Sequence, residues 1–284
     1  MVKLRRKIIQ FITTVVYNFN IKGFFTGKIY TGDLKNACVP GLNCYSCPGA
    51  VSGCPIGAIQ SVLGHYKYKF SFYVFGFFML MGTFLGRFVC GYLCPFGFFQ
   101  ELIYKIKSRK FKISRKFIYI KYFILVIFVI LLPLFFTNSV GLGDPAFCKY
   151  ICPAGTLEAG IPLVLLNEPL KNVIGWLYAW KLLILLIVVI SSIFTFRPFC
   201  KVICPLGAIY SLFNKVSVFR YAFDEAKCTH CNRCVETCKM DVLPHLQVND
   251  IECIRCGECI EVCPTGAITQ MVILGDDLKN EKVN

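Results

Sequence analysis

Apolar residues along this chain come in long, nearly uncharged runs, not in the short alternations of a half-buried sheet. The first run, Ile8 to Ile21, follows the basic start Met-Val-Lys-Leu-Arg-Arg-Lys and holds Asn18 and Asn20. It imitates a signal peptide, but Lys22-Gly23-Phe24-Phe25 follows where a small-x-small cleavage site would stand, which predicts an uncleaved anchor. Phe70 to Val89 is the second run, with Arg87 its one charge. Phe117 to Phe136 is the third, with Pro133 tolerated as a kink. Val173 to Phe196 is the fourth; Trp176 and Trp180 sit at its start, as an interfacial aromatic belt would have them. The pattern predicts four transmembrane helices. Between the runs lie a Gly/Pro/Cys-rich segment from Gly32 to Gly64, a loop with seven Lys or Arg between Lys105 and Lys116, and a polar turn from Thr137 to Asp144.

Composition and charge sharpen this picture. The 284 residues are 56% hydrophobic with a net charge of +15, which places the chain among membrane proteins. The basic residues cluster beside apolar spans, as on cytoplasmic flanks of membrane helices, so nucleic acid is not the expected partner; the lipid bilayer is. Lys3 to Lys7 and the Lys105–Lys116 loop both belong inside by that rule, and four crossings then leave both termini cytoplasmic at the plasma membrane. Lys121 and Lys181, near span ends, are expected to snorkel. The expected fold is an α-helical membrane protein with four transmembrane helices in two repeated halves (residues 1–222), a small α+β ferredoxin-like domain (223–274) and a mobile tail (275–284).

Cysteine supplies the chemistry. Eight of the 18 fall in two tandem runs, C-T-H-C-N-R-C-V-E-T-C from Cys228 and C-I-R-C-G-E-C-I-E-V-C-P from Cys253. Each is C-x2-C-x2-C-x3-C, in which three thiolates wrap one cluster from a tight loop and the fourth ligates the other. The spacing assigns Cys228, Cys231, Cys234 and Cys263 to one [4Fe-4S] cluster, and Cys253, Cys256, Cys259 and Cys238 to a second. Zinc sites seldom carry two tandem three-cysteine runs, and a disulfide framework would not need such regularity. This segment resembles bacterial-type ferredoxins; it departs from them at Lys239, where the family carries the proline that the second run keeps as Pro264.

The other ten are Cys38, Cys44, Cys47, Cys54, Cys90, Cys94, Cys148, Cys152, Cys200 and Cys204. Three pairs read C-x3-C-P, and C-P-x-G recurs after Cys54, Cys94, Cys152, Cys204 and Cys263. Proline starts a helix, glycine lets backbone approach a cofactor, and the helix N-terminus faces an anionic thiolate–cluster unit. The stretch around Cys90 lines up with that around Cys200 at an offset of 110 residues, and Cys44 lines up less well with Cys148. Repeat halves place shared sites at their interface, so Cys90, Cys94, Cys200 and Cys204 are expected to hold one cluster. For a second, repeat symmetry favours Cys44, Cys47, Cys148 and Cys152, while the C-P-I-G-A-I context of Cys54 favours Cys38, Cys44, Cys47 and Cys54. Either way two thiols are left over.

G-L-N-C-Y-S-C-P-G-A, the C-x3-C-P repeats and the terminal double run resemble the NapH-type membrane polyferredoxins, related to the iron–sulfur parts of NosR and CcoG. The resemblance implies a membrane-anchored electron carrier working between a ferredoxin or quinol pool and a partner reductase subunit. The third C-x3-C-P pair, Cys148 and Cys152, exceeds the two expected of the smaller members, so the nitrate-reductase context does not transfer. Two spare thiols leave a second reading open, a transmembrane thiol–disulfide reductase delivering electrons to an external dithiol. A regulatory iron–sulfur sensor is the third, and needs one exposed cluster, not a chain of them. No P-loop, G-x-G-x-x-G or C-x-x-C-H haem site is present, and His65, His230 and His245 are expected at surfaces or interfaces, not as ligands.

Overall fold

The computed structural model describes residues 2–64, 71–136, 143–172 and 174–272. His65, the first residue of the second and fourth apolar runs, most of the Thr137–Asp144 turn and the 275–284 tail lie outside the described residues. Four helices dominate: α1 (Val2–Tyr17), α2 (Phe72–Leu85), α3 (Arg115–Phe135) and α4 (Trp176–Phe194). Each leaves a helical-spacing stripe of large apolar side chains exposed: Ile8, Phe11, Ile12 and Val15 on α1, and Leu183, Leu186, Ile187 and Ile190 on α4. An uncovered apolar band of this kind suits hydrocarbon, not water.

Two of these helices, α3 and α4, have the length and composition to cross a bilayer. The others are shorter, 16 residues in α1 and 14 in α2, or ~24 and ~21 Å at the α-helical rise. The Ile8–Ile21 run breaks at Asn18 because its side chain turns back to Thr14 O and across to Asn43. The second run stops at Gly86, whose φ of 52° ends the helix and frees Arg87 to point inward. In α3 the turns widen to π-helix over Leu125–Leu131, just ahead of Pro133, where the ring denies the ladder one donor.

The four helices alternate in direction. Arg6 on α1 meets Glu258, Leu85 at the end of α2 accepts from Arg255, Arg115 at the start of α3 pairs with Asp250, and Ile193 near the end of α4 accepts from Ser108 and Lys110 of the basic loop. Both basic segments and the C-terminal module therefore share one end of the bundle. At the other end the 32–64 segment turns back among the helices, as does the stretch through Phe147–Ile151 to Leu166. The apolar helix Pro55–Gly64 packs against α2 and α3, so non-helical backbone here lies in protein and its polar groups are met there.

The C-terminal module opens with β1 (Phe219–Phe223), antiparallel to β2 (Ile268–Val272), with Phe219 opposite Val272. Its two cysteine loops repeat at an offset of 25 residues, and the left-handed residues repeat with them: His230 with Arg255, Asn232 with Gly257, Asp241 with Gly266. The positive φ values turn the backbone tightly around two hollows.

Candidate iron–sulfur centres

Each of the two hollows gathers four cysteines. One has Cys228, Cys231, Cys234 and Cys263 on its wall; the other has Cys238, Cys253, Cys256 and Cys259. Cys231 is exposed, so the first centre is the one nearest solvent. His230 and His245 line that same hollow, His230 exposed and His245 half-buried.

Cys90, Cys94, Cys200 and Cys204 form a third group: each of Cys94 and Cys204 feels the charge of the other three or of Cys200 and Cys90. Its surroundings have a two-fold logic. Arg87 stands three residues before Cys90, and Arg197 three before Cys200, and each guanidinium crosses to the carbonyl of the other half's first cysteine. Arg197 is held at φ 50°, a strained placement for a non-glycine residue that aims it inward. Room for Arg197 comes from the C-P-x-G glycine of the opposite half: a Cβ on Gly97 would stand 2.9 Å from its guanidinium. That glycine admits an arginine where the motif alone suggested a cofactor.

Cys44, Cys54, Cys148 and Cys152 form the fourth group. Cys152 feels Cys148, Cys44 and Cys54, and a Cβ on Gly155 would lie 3.6 Å from Cys44 Sγ and 3.9 Å from Cys152 Sγ. Here Cys54 stands where repeat symmetry expected Cys47. The physical reason is the turn at Cys44–Cys47: the Cys47 N–H closes on Cys44 O, and its sulfur faces Asn18 Oδ1 at 3.6 Å, away from the group. Cys38 sits beside Cys54. The carboxyl of Glu158 accepts from the Cys44 N–H at 2.6 Å, and burial pushes it up to about 8.

The roles of two residue types in these centres, glutamine and arginine, went unread in the sequence. Gln60 and Gln100, both fully buried, donate to Cys148 Sγ at 3.1 Å and Cys200 Sγ at 3.2 Å. Their signal is a second repeat, C-P-x-G-x-x-Q, at Cys54–Gln60 and Cys94–Gln100. It pairs with a third, F-C-K-x-I-C-P-x-G, at Phe147 and Phe199. The R-x2-C spacing of Arg87 and Arg197 is the signal for the arginines. Lys121 does not snorkel: it is fully buried and bonds Glu252 of the C-terminal module. Lys181 turns inward to Cys148 O at 3.2 Å.

The groups adjoin one another. Cys259 feels Cys234 of the exposed centre. Arg87 bonds both Ile251 O, at 2.8 Å, and Cys200 O, joining the module to the third group, and Lys201 reaches Asp241 at 2.6 Å. A Cβ on Gly41 would stand 3.0 Å from Cys94 Cα, so the 32–64 segment packs directly against the third group. With 3.8 Å between successive Cα atoms, the Cα of Cys44, three residues on, lies within ~16 Å of that of Cys94.

The residues fit [4Fe-4S] clusters better than single ions. Among the described residues no three His, Cys, Asp or Glu side chains converge closely enough for one metal ion; a cube with an iron at each corner asks its thiolates to stand further apart. Nε of both Arg87 and Arg197 is buried without a partner, a pair of donors flanking four thiols and suited to an anionic group. Burial pushes the Cys148 and Cys253 thiols up to about 12, so bare they are neutral, and bound iron is what would hold them as thiolates.

Comparison with known proteins agrees with this chemistry. A 4Fe-4S binding domain family matches residues 70–114, 121–161 and 177–223, and a second 4Fe-4S binding domain matches 246–269. An uncharacterised protein of Methanocaldococcus jannaschii is 28% identical over 177 residues, 59% of this chain and 57% of its own length. The regulatory protein NosR of Pseudomonas aeruginosa is 26% identical over 163 residues, 54% of this chain and 20% of its own. The methylamine utilization ferredoxin-type protein MauN of Methylorubrum extorquens is 24% identical over 168 residues, 57% of this chain and 50% of its own. The chain thus spans less than two thirds of each of these relatives. No solved structure matches it. The chain carries 4Fe-4S ferredoxin-type domains and is distantly homologous to NosR and MauN.

Proposed function

We propose that this protein is a membrane-embedded electron carrier with four [4Fe-4S] centres in one row. The thiol sets in order are Cys228/Cys231/Cys234/Cys263, Cys238/Cys253/Cys256/Cys259, Cys90/Cys94/Cys200/Cys204 and Cys44/Cys54/Cys148/Cys152. A bound [4Fe-4S] cluster takes up and gives back single electrons at a potential that its surroundings tune. The chain does the rest. Thiols in C-P turns hold the metal, two guanidiniums place positive charge at the third centre, and burial keeps water out. All four long helices cross the bilayer in this reading, and both termini are cytoplasmic, since the basic loop and Arg6 share the module's end. Its partners are a cytoplasmic ferredoxin or quinol pool at one end and a membrane or external reductase at the other.

The observation that carries the proposal is the close contact of Gly41, three residues ahead of Cys44, with Cys94. The re-entrant 32–64 segment supports a spacing short enough for tunnelling. The thiol–disulfide reading requires a facing dithiol, and the two cysteines outside the four groups face Cys54 and Asn18 instead. The test is iron and spin counting on anaerobically purified full-length protein: about sixteen irons in four clusters is expected. About twelve irons would remove the row, and about eight would leave a tethered ferredoxin.

A further inference from the structure

The two buried glutamines occupy one place in two repeats. Each follows a C-P turn by six residues, Cys54 to Gln60 and Cys94 to Gln100, and each reaches the C-x3-C loop of the partner segment. In each, Oε1 accepts the N–H of the phenylalanine before that loop's first cysteine, at 3.0 Å from Phe147 and 3.2 Å from Phe199. A backbone N–H can only donate, so the oxygen must face it, and the orientation of the amide is settled by chemistry. The NH2 group then has two hydrogens to place. One goes to the carbonyl one turn back, Ile56 O at 3.2 Å and Phe96 O at 3.4 Å. The other goes to sulfur, Cys148 Sγ at 3.1 Å and Cys200 Sγ at 3.2 Å. Both side chains are fully buried, so no water competes for either bond.

We infer that Gln60 and Gln100 set the reduction potentials of the two membrane-embedded centres, one each, by donating a hydrogen bond to a ligand sulfur. This rests on the proposed function, because it needs iron at both thiol groups. Reduction adds negative charge to the cluster and its thiolates. A fixed donor aimed at one sulfur stabilises that added charge, and in a dry site the effect is strong. A purely structural amide would fasten the loop through Phe147 or Phe199 and leave the potential alone.

The test uses intact protein in detergent under anaerobic conditions, with iron counted first. Fewer than four clusters in the unsubstituted protein would sink the electron-carrier proposal, not this inference on its own terms. With iron in place, Gln60→Met keeps the shape and removes the donor. Its expected effect is a fall in the potential of one centre, by about tenfold in the one-electron equilibrium or about 59 mV, in a redox titration followed by EPR. Gln100→Met should move a different centre by a similar factor. Unchanged potentials with full iron, or both variants moving the same centre, would overturn the inference. Where a variant loses iron, the unsubstituted protein labelled with 15N-glutamine decides. Amide-nitrogen hyperfine coupling at two reduced centres supports the assignment, and no coupling at either overturns it.

Discussion

Glu252 offers the sharpest test of how the C-terminal module is held to the membrane bundle. Its carboxylate forms ion pairs with Arg87, at 2.7 Å, on one side and with Lys121 on the other, and all three side chains are almost wholly buried. Burial alone would raise its pKa, but Arg87 and Lys121 outweigh burial and hold the carboxyl below its ordinary value. Glu252→Gln keeps the shape and removes the charge, so two buried cations face a neutral amide. Breaking a buried pair in this way costs about 3–5 kcal/mol, a shift of roughly a hundredfold to a few thousandfold in the docked equilibrium. The seam amide of Val218, which donates to Thr83 O at 2.7 Å, reports on it. Its hydrogen exchange should quicken by about a hundredfold or more in the variant. Adding Lys121→Met removes one orphaned cation and should recover part of the loss. Unchanged exchange at Val218 in the single variant, with iron retained, would refute the clamp. The pH sense follows from the depressed pKa: the contribution is complete above the ordinary glutamate value and is lost only as pH falls through the lower folded value, so the protection factor at Val218, with the base-catalysed intrinsic rate divided out, should stay level from about pH 6 to 7.

Three further outcomes are expected. Cys54→Ser and Cys148→Ser should each remove the same cluster, about four irons, whereas Cys47→Ser should keep all of them; iron loss on Cys47→Ser would restore the grouping by repeat symmetry. Gly91→Ala puts a Cβ 2.3 Å from Ile254 O, backbone against backbone, and should loosen the module by about 1–3 kcal/mol, read as a lower melting temperature of the docked state. A membrane-impermeant label should reach a cysteine placed at Ser46 only from outside and one placed at Lys107 only from inside; the same sidedness for both would break the four-span topology.

The sequence by itself determined what is local. The C-x2-C-x2-C-x3-C runs carry their own geometry, since three thiols two residues apart can only wrap a nearby centre, and Cys263 and Cys238 cross to line the hollow of the other run. The apolar runs marked all four long helices, because exposed stripes of apolar side chains leave a mark on composition that needs no partner. What only the tertiary structure decided is everything that depends on which segments meet. Cys54 displaces Cys47 because a turn at Cys44 aims one sulfur at Asn18. Lys121 is pinned, not snorkelling, because Glu252 arrives from 131 positions away. Gln60 and Gln100 become ligand-facing only once residues 88 and 100 positions on are folded against them. Their motifs stand in the chain at offsets of 40 and 52 residues, but a repeat states which pieces are alike and not which pieces touch. The re-entrant segment that sets Gly41 against Cys94 leaves no periodic signature, because its path follows the packing of the helices around it.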